Sequence, residues 1–286
     1  MWIGGSTLGT VVAVAFFRPS GFDLGLLACF YFASNLGVSV GFHRLLSHRS
    51  FSCPVPVRYL LLIMGCFAAQ GPPGYWAILH RRHHRFSDRD GDPHSPVARR
   101  SGGPWRAVAH AHMGWINEVG MPRPDRHSKD LIQDPVIRRV GKMYYAIAIA
   151  GIALPALFGW IHLNSVDGAV HGMLWGGAVR LFLVHHTIWS INSVCHLWGA
   201  QHYATGDASR NNWLLSIVSV GESWHNNHHA AAGSARFGHR WWQVDLGYAL
   251  IRLFVFVGLA EQPRPPPLDA IRSIRLHKTS IRTNNT

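Results

Sequence analysis

His80-Arg-Arg-His-His84 is the stretch on which the reading of this chain turns. On a helix of about 3.6 residues per turn, positions i, i+3 and i+4 share a face, so His80, His83 and His84 can point the same way. Three converging imidazoles without a metal repel one another on protonation and bury polar nitrogens without partners. A transition ion removes both difficulties. The spacing recurs in His225-Asn-Asn-His-His229, and His43-Arg-Leu-Leu-Ser-His48 supplies two more histidines. His43 and His48 lie five apart, about 140° on an α-helix, so they share a site only where that helix ends or distorts. His196, four residues after Asn192 and therefore on its face, offers a ninth imidazole. Alone, His43 and His48 would read as interfacial side chains snorkelling beside Arg44 and Arg49. The repetition argues for metal.

The 286 residues are 48% hydrophobic and 14% charged, against about 25% charged in soluble proteins, and long apolar runs point to a membrane protein. A formal charge of +13 raises nucleic acid as a partner. However, Arg and Lys crowd the loop 43–142 and the C-terminal tail, as in cytoplasmic loops of membrane proteins. Nucleic acid is therefore set aside in favour of anionic membrane lipid or an acidic electron carrier. Cys29, Cys53, Cys66 and Cys195 form no CxxC pair and read as apolar thiols in a reducing compartment. The first segment has no charged n-region and reads as a retained span.

The fold expected is an all-α membrane protein with four transmembrane helices, near 1–17, 22–42, 140–161 and 169–191, and a cytoplasmic helical cap. Residues 1–260 form one integral domain, and 261–286 a mobile basic tail. The first span reaches roughly 26 Å, marginal for a core of about 30 Å. The second carries Asp23 as its only charge, and Pro155 is expected to kink the third. The fourth is broken by Arg180, His185 and His186 and runs on toward Leu197. Tyr59–Gln70 is too short to cross, Gly71-Pro-Pro-Gly74 breaks it, and Tyr75–Arg85 resumes as the helix of the central triplet. His94 is expected to fix its loop by a hydrogen bond, and His110 and His112 to be structural or substrate-facing. Trp241–Ala260, interrupted by Asp245 and Arg252, reads as an amphipathic helix on the membrane. Four crossings put all three histidine boxes on the basic side.

Nine neutral nitrogens exceed what one zinc takes; two metals with open positions fit the count. Imidazole suits iron, copper and zinc alike. Ligands where membrane helices emerge imply a lipidic substrate, whose unactivated C–H bonds call for oxygen activation by iron rather than zinc hydrolysis. The paired Glu-x-x-His motifs of soluble di-iron bundles are not present. A His-rich metal transporter would hold its ligands near the bilayer midplane, whereas these boxes lie at helix ends. A zinc hydrolase would turn over without oxygen.

The sequence resembles the membrane fatty acyl desaturases of the stearoyl-CoA desaturase type. Gly41-Phe-His-Arg-Leu-Leu-Ser-His-Arg-Ser50, His80-Arg-Arg-His-His84 with Phe86-Ser-Asp and Asp92-Pro-His94, and Gly221-Glu-Ser-Trp-His-Asn-Asn-His-His229 match that family's three boxes in order and spacing. Asn192-Ser-Val-Cys-His196 matches the segment that carries its ninth histidine and an asparagine reaching the metal through water. The likeness runs from about residue 22 to 240. It implies two Fe ions and O2, with His43, His48, His80, His83, His84, His196, His225, His228 and His229 as ligands and Asn192 acting through water. The reaction implied is insertion of a cis double bond into a fatty acyl chain, with a hydroxylase or acetylenase as siblings on the same scaffold.

Further roles follow from the resemblance alone. Gln70 and Trp76 match residues near the acyl carbonyl, Trp189 matches a tunnel-lining residue, and Leu27 and Tyr31 are candidates for setting chain length. A basic residue that helps hold CoA is replaced by Ile78, and a basic pair by Val119 and Gly120. Fewer phosphate contacts weaken CoA binding, which leaves acyl carrier protein or a glycerolipid beside acyl-CoA, with Arg81, Arg82, Arg123 or Arg126 as compensating cations. A separate ferredoxin or b-type cytochrome is the expected donor. The location implied is a bacterial inner membrane, with the catalytic face cytoplasmic.

Overall fold

The computed structural model describes residues 2–97, 103–118, 120 and 128–267, so most of the expected tail, with Val119, Arg123 and Arg126, lies outside the described residues. Among the described residues there are helices, turns and isolated bridges but no strand, the all-α class expected. The chain forms two compact units. One comprises Met1–Phe42, Val55–Ile78 and Arg123–Ile188; the other His43–Pro54, Leu79–Pro122 and Trp189–Thr286.

In the first unit, the Arg18-Pro19 break ends helix Trp2–Phe16, and Ser20 starts Gly21–Leu36 with a capping box. Ser20 Oγ accepts the Asp23 N–H at 3.2 Å while Asp23 Oδ2 accepts the Ser20 N–H at 2.8 Å. His171 Nδ1 lies 3.1 Å from the same carboxylate oxygen, so the span's one charge is an N-terminal cap with partners. The helix continues as a π-helix over Gly37–Ser47. Gly37 and Gly41 let it lie against helix Val55–Cys66: a Cβ at Gly41 would sit 2.9 Å from the Leu61 oxygen.

Among the described residues, two helices are long and apolar enough to cross a membrane, Gly21–Ser47 (27 residues, mean hydropathy 1.5) and Tyr144–Leu163 (20 residues, 1.9). Four were expected. Trp2–Phe16 has 15 residues, about 22 Å of rise. The stretch 166–193 is helical but divided into Val166–Gly172, a π-helical Met173–Val179 and Arg180–Ser193. Asn164, left-handed at φ 46, ends Tyr144–Leu163, and Ser165 caps the next helix through the Gly168 N–H at 3.1 Å.

Pro155 sits inside Tyr144–Leu163, and a proline deprives the carbonyl four residues earlier of its N–H. That carbonyl belongs to Gly151. The buried Arg180 guanidinium donates to it at 2.5 Å and also to the carbonyls of Phe67 and Gly176. An apparent interruption of an apolar span is thus the donor that its neighbour's proline requires.

The second unit is loop-rich. Asn211 bridges to both Ala200 and Trp224, and the Trp224 indole donates to the Val244 carbonyl at 2.7 Å. The helix expected over Trp241–Ala260 is Leu246–Phe256, 11 residues and about 16 Å, too short to cross. Asp245 does not interrupt it but caps it, accepting the Tyr248 N–H at 2.9 Å, and also takes the Phe237 and Gly238 N–H groups. Helix Arg180–Ser193 likewise stops before His196, which rides a 3-10 turn, Val194–His196. The unbroken helix assumed for Asn192 and His196 is not there.

Candidate metal centre

All nine histidines fall in the second unit, in two groups. His43, His48, His80, His84 and His228 form one; His83, His196, His225 and His229 form the other; within each, the ligand nitrogens lie within 4.8 Å of one another. In the first pocket, His43 and His228 present Nε2 atoms 3.0 Å apart, His48 and His80 2.9 Å, and His84 and His228 2.8 Å. In the second, the separations are 3.0 Å for His196 and His225 and 3.4 Å for His83 and His229.

Carboxylates on the far side of the rings decide what those short distances mean. Asp92 takes His83 Nδ1 at 3.0 Å, Asp88 takes His196 Nδ1 at 2.9 Å, Asp207 takes His229 Nδ1 at 2.7 Å, and Glu222 contacts His43 Nδ1. A carboxylate at Nδ1 holds the proton there, so Nε2 faces inward with its lone pair. Lone pairs opposed at about 3 Å repel. With metal–nitrogen bonds of about 2.0–2.1 Å, neighbouring ligands at 90–110° stand roughly 2.9–3.4 Å apart. The nitrogens are thus spaced as ligands of two cations would be, and His83 and His229, each with its proton held on Nδ1, oppose lone pairs that a cation between them would relieve.

Electrostatics agree. Burial, reinforced by neighbouring imidazoles, pushes His48, His80, His84, His225 and His228 well below the usual imidazole range, and His229 to about 4. Burial opposes protonation of His83 too, but Asp92 beside it outweighs this and raises it. Asp88, Asp92 and Asp207 are held below the carboxylate range: burial works against ionisation, and hydrogen bonding with charge from the histidines outweighs it. Neutral imidazoles and ionised carboxylates are the states metal binding needs; of the histidines named here, His83 alone is drawn the other way, by Asp92.

Local structure explains the spacing. The π-helix carries the i→i+5 bond His48 N–H to His43 carbonyl at 3.1 Å, so residues five apart stack and both rings enter one pocket. The expected distortion is a wide turn rather than a helix end. On helix Pro73–Phe86, His80 and His84 share a pocket while His83 turns to the other. Helix His225–Ala230 repeats this in mirror assignment, His225 and His229 together and His228 apart. One helical face thus serves two pockets, a division that the i, i+3, i+4 rule alone does not give.

Short loops hold the carboxylates. Asp92 takes the Asp88 N–H at 2.8 Å and the His94 N–H at 3.1 Å, so His94 fixes its loop through its backbone. The His94 ring stands 4.4 Å from His83. Asp207, unassigned from sequence, is wrapped by Thr205 Oγ1 at 2.7 Å, Ser209 N–H at 3.0 Å and Ser209 Oγ at 2.5 Å. The Thr205-x-Asp207-x-Ser209 pattern of a side-chain-capped turn was its only signal.

The remaining residues divide between the units. In the first, Tyr31 is buried and its hydroxyl pairs with Thr187 Oγ1 at 2.8 Å, while Leu27 packs on Ala13, Leu174, Trp175 and Val179. Gln70 Nε2 is buried with no partner among the described residues, and Trp76 stacks obliquely on Phe42 at 6.1 Å. In the second, Trp189 is buried with its ring 5.9 Å from His112, and Asn192 is half-buried.

Comparison with known proteins bears on this geometry. A family model described as fatty acid desaturase matches residues 22–255. The chain is 40% identical over 277 residues to the hex-5-enoyl-[acyl-carrier protein] acetylenase of Moorena producens, covering 94% of this chain and 86% of that protein. It is 38% identical to the sn-1 stearoyl-lipid 9-desaturase of Anabaena variabilis (88% and 89% covered) and 35% identical to the acyl-CoA C20 Delta5-desaturase of Anemone leveillei (91% and 80%).

Proposed function

This chain belongs to the fatty acid desaturase family, and on that premise we propose that it inserts a cis double bond into a fatty acyl chain at two irons held by its nine histidines. Opposed Nε2 atoms 2.8–3.4 Å apart, with carboxylates behind four of the rings, carry the reading. What bound iron supplies is the activation of O2 needed to take hydrogen from an unactivated methylene. Overall, two hydrogens leave adjacent methylenes, two electrons and two protons arrive from outside, and O2 becomes two waters.

The chain's own residues hold and orient. Five imidazoles would hold one iron and four the other, and Asn192 would reach the metal through a water. Gln70 Nε2, buried and unpartnered, suits donation to the acyl carbonyl, and Trp76 and Trp189 line the chain's path. Tyr31 and Leu27 stand at its blind end. Four crossings bring the boxes to the cytoplasmic face: Gly21–Ser47 and Tyr144–Leu163 have the length, and 2–16 and 166–193 complete the set. Ile78 in place of a phosphate-binding cation favours acyl carrier protein or a glycerolipid over CoA. A separate ferredoxin or b-type cytochrome delivers the electrons to the basic face.

A second reading, acetylenase, is favoured by the relative of that name; it differs only in starting from an existing double bond. The test is expression in a bacterial host, with fatty acids profiled in the phospholipid, CoA and carrier-protein pools. A new double bond that depends on oxygen supports the proposal, and a triple bond formed from a supplied monoene supports the second reading. Turnover under nitrogen would sink both.

A further inference from the structure

The two imidazole pockets differ in what stands behind them. Three of the four rings in the smaller pocket lean on buried or nearly buried aspartates: His83 on Asp92, His196 on Asp88 and His229 on Asp207. These carboxylates cannot swing away. Asp88 also accepts Ser95 Oγ at 2.5 Å and the Ala208 N–H at 2.7 Å, which ties the loop after the second box to the loop that carries Asp207. In the five-imidazole pocket, Glu222 serves His43 but is shared with Arg44, 3.3 Å away and fully buried. Arg44 in turn pairs with Asp245 at 2.9 Å, and Arg81 donates to the Ser47 and Leu46 carbonyls next to His48. Three carboxylates back one pocket, whereas the single carboxylate behind the other is shared with a buried cation.

We infer that the pockets are inequivalent, the four-imidazole pocket holding its ion more tightly, with Asp88, Asp92 and Asp207 as its positioning residues. This rests on the two-metal reading above. The five-imidazole pocket has one ligand more, which favours it. Against that, a carboxylate partner on a ligating histidine is worth about 10–100-fold in metal affinity, and three act on one pocket. Their charge also offsets that of the cation directly, in a buried setting where charges are weakly screened. The five-imidazole pocket has one such partner, Glu222, shared with Arg44, so an excess of two carboxylates is set against one neutral imidazole and outweighs it.

The test is metal release from iron-loaded protein in detergent, followed anaerobically with a coloured ferrous chelator. Two phases of one iron each are expected. Asp207→Asn should speed the slow phase by about 10–100-fold and spare the fast one, whereas Glu222→Gln should speed the fast phase alone. Asp207→Glu should restore the slow phase in part. Mössbauer spectra of protein loaded with one equivalent of 57Fe give a readout that needs no variant: one environment is expected, and two equally filled environments overturn the inference. So does release of both irons at one rate, or an Asp207→Asn protein that retains iron as well as the parent. A purified chain that binds no iron overturns the two-metal reading itself, a distinct result.

Discussion

Asn211 and Asn227 exchange two buried hydrogen bonds, Asn227 N–H to Asn211 Oδ1 at 3.1 Å and Asn211 Nδ2 to Asn227 Oδ1 at 2.7 Å. Asn227 Nδ2 also donates to the Phe237 carbonyl at 2.8 Å and to Gln243 Oε1 at 2.9 Å. Its neighbour Asn226 accepts the His202 and Tyr203 N–H groups at 2.7 and 2.8 Å. The third box lies on a six-residue helix, far too short to be stable alone. The asparagines between its histidines clamp it to two loops. Replacing Asn227 with Ala strands several buried polar groups, at about 3 kcal/mol. The melting temperature in detergent should fall, and iron content with it; an unchanged melting temperature counts against the clamp.

The first box depends on glycine. A side chain at Gly41 would press on the Leu61 carbonyl, forcing out the π-turn that stacks His43 over His48. Gly41→Val should therefore cost the five-imidazole pocket its ion and leave the other filled. Iron per chain, measured by mass spectrometry, should drop from about two to about one, and desaturation should cease. Two irons retained would mean that the π-turn is not set by this contact.

The ligand split makes a sharper comparison. His83→Ala removes a ligand from the four-imidazole pocket and His228→Ala one from the five-imidazole pocket. Both should abolish desaturation while leaving membrane insertion intact, yet their one-iron forms should give different Mössbauer spectra. Full activity in either variant contradicts the ligand assignment.

Spacing made the histidines readable because metal ligation needs them on shared faces. It did not reveal how they divide, since i+3 and i+4 diverge by enough to reach different pockets. Asp207 was hidden because loop carboxylates look alike in sequence, and only the fold brings His229 to it. In the sequence Asp245 and Arg180 look like interruptions of apolar runs, because hydropathy counts a charge without asking what it caps or donates to. The same blindness made Trp241–Ala260 look longer than the helix it contains.

Arg180 supplies donors that Pro155 and a helix end withhold, so its loss should be structural rather than catalytic. Arg180→Leu leaves the Gly151, Phe67 and Gly176 carbonyls buried without that donor, a penalty of about 3 kcal/mol or more. The melting temperature should fall sharply, while protein kept cold retains its iron. Arg180→Lys should recover only part of the loss, because an ammonium lacks the planar fork that reaches three acceptors. Loss of iron from the cold Arg180→Leu protein would show that the residue also serves the metal centre.

Chain-length selection tests the other end of the proposal. The Tyr31 hydroxyl pairs with Thr187 Oγ1 at 2.8 Å, bridging helix Gly21–Leu36 to helix Arg180–Ser193 with a bulky buried ring. If the acyl chain ends against this bridge, Tyr31→Ala opens room for more methylenes and should shift products toward longer chains. Thr187→Val keeps the volume and breaks only the hydrogen bond, so it should lower stability by about 1 kcal/mol with little change in products. Gas chromatography of the fatty acids made by each variant separates the outcomes. An unaltered chain-length profile in Tyr31→Ala would locate the blind end elsewhere.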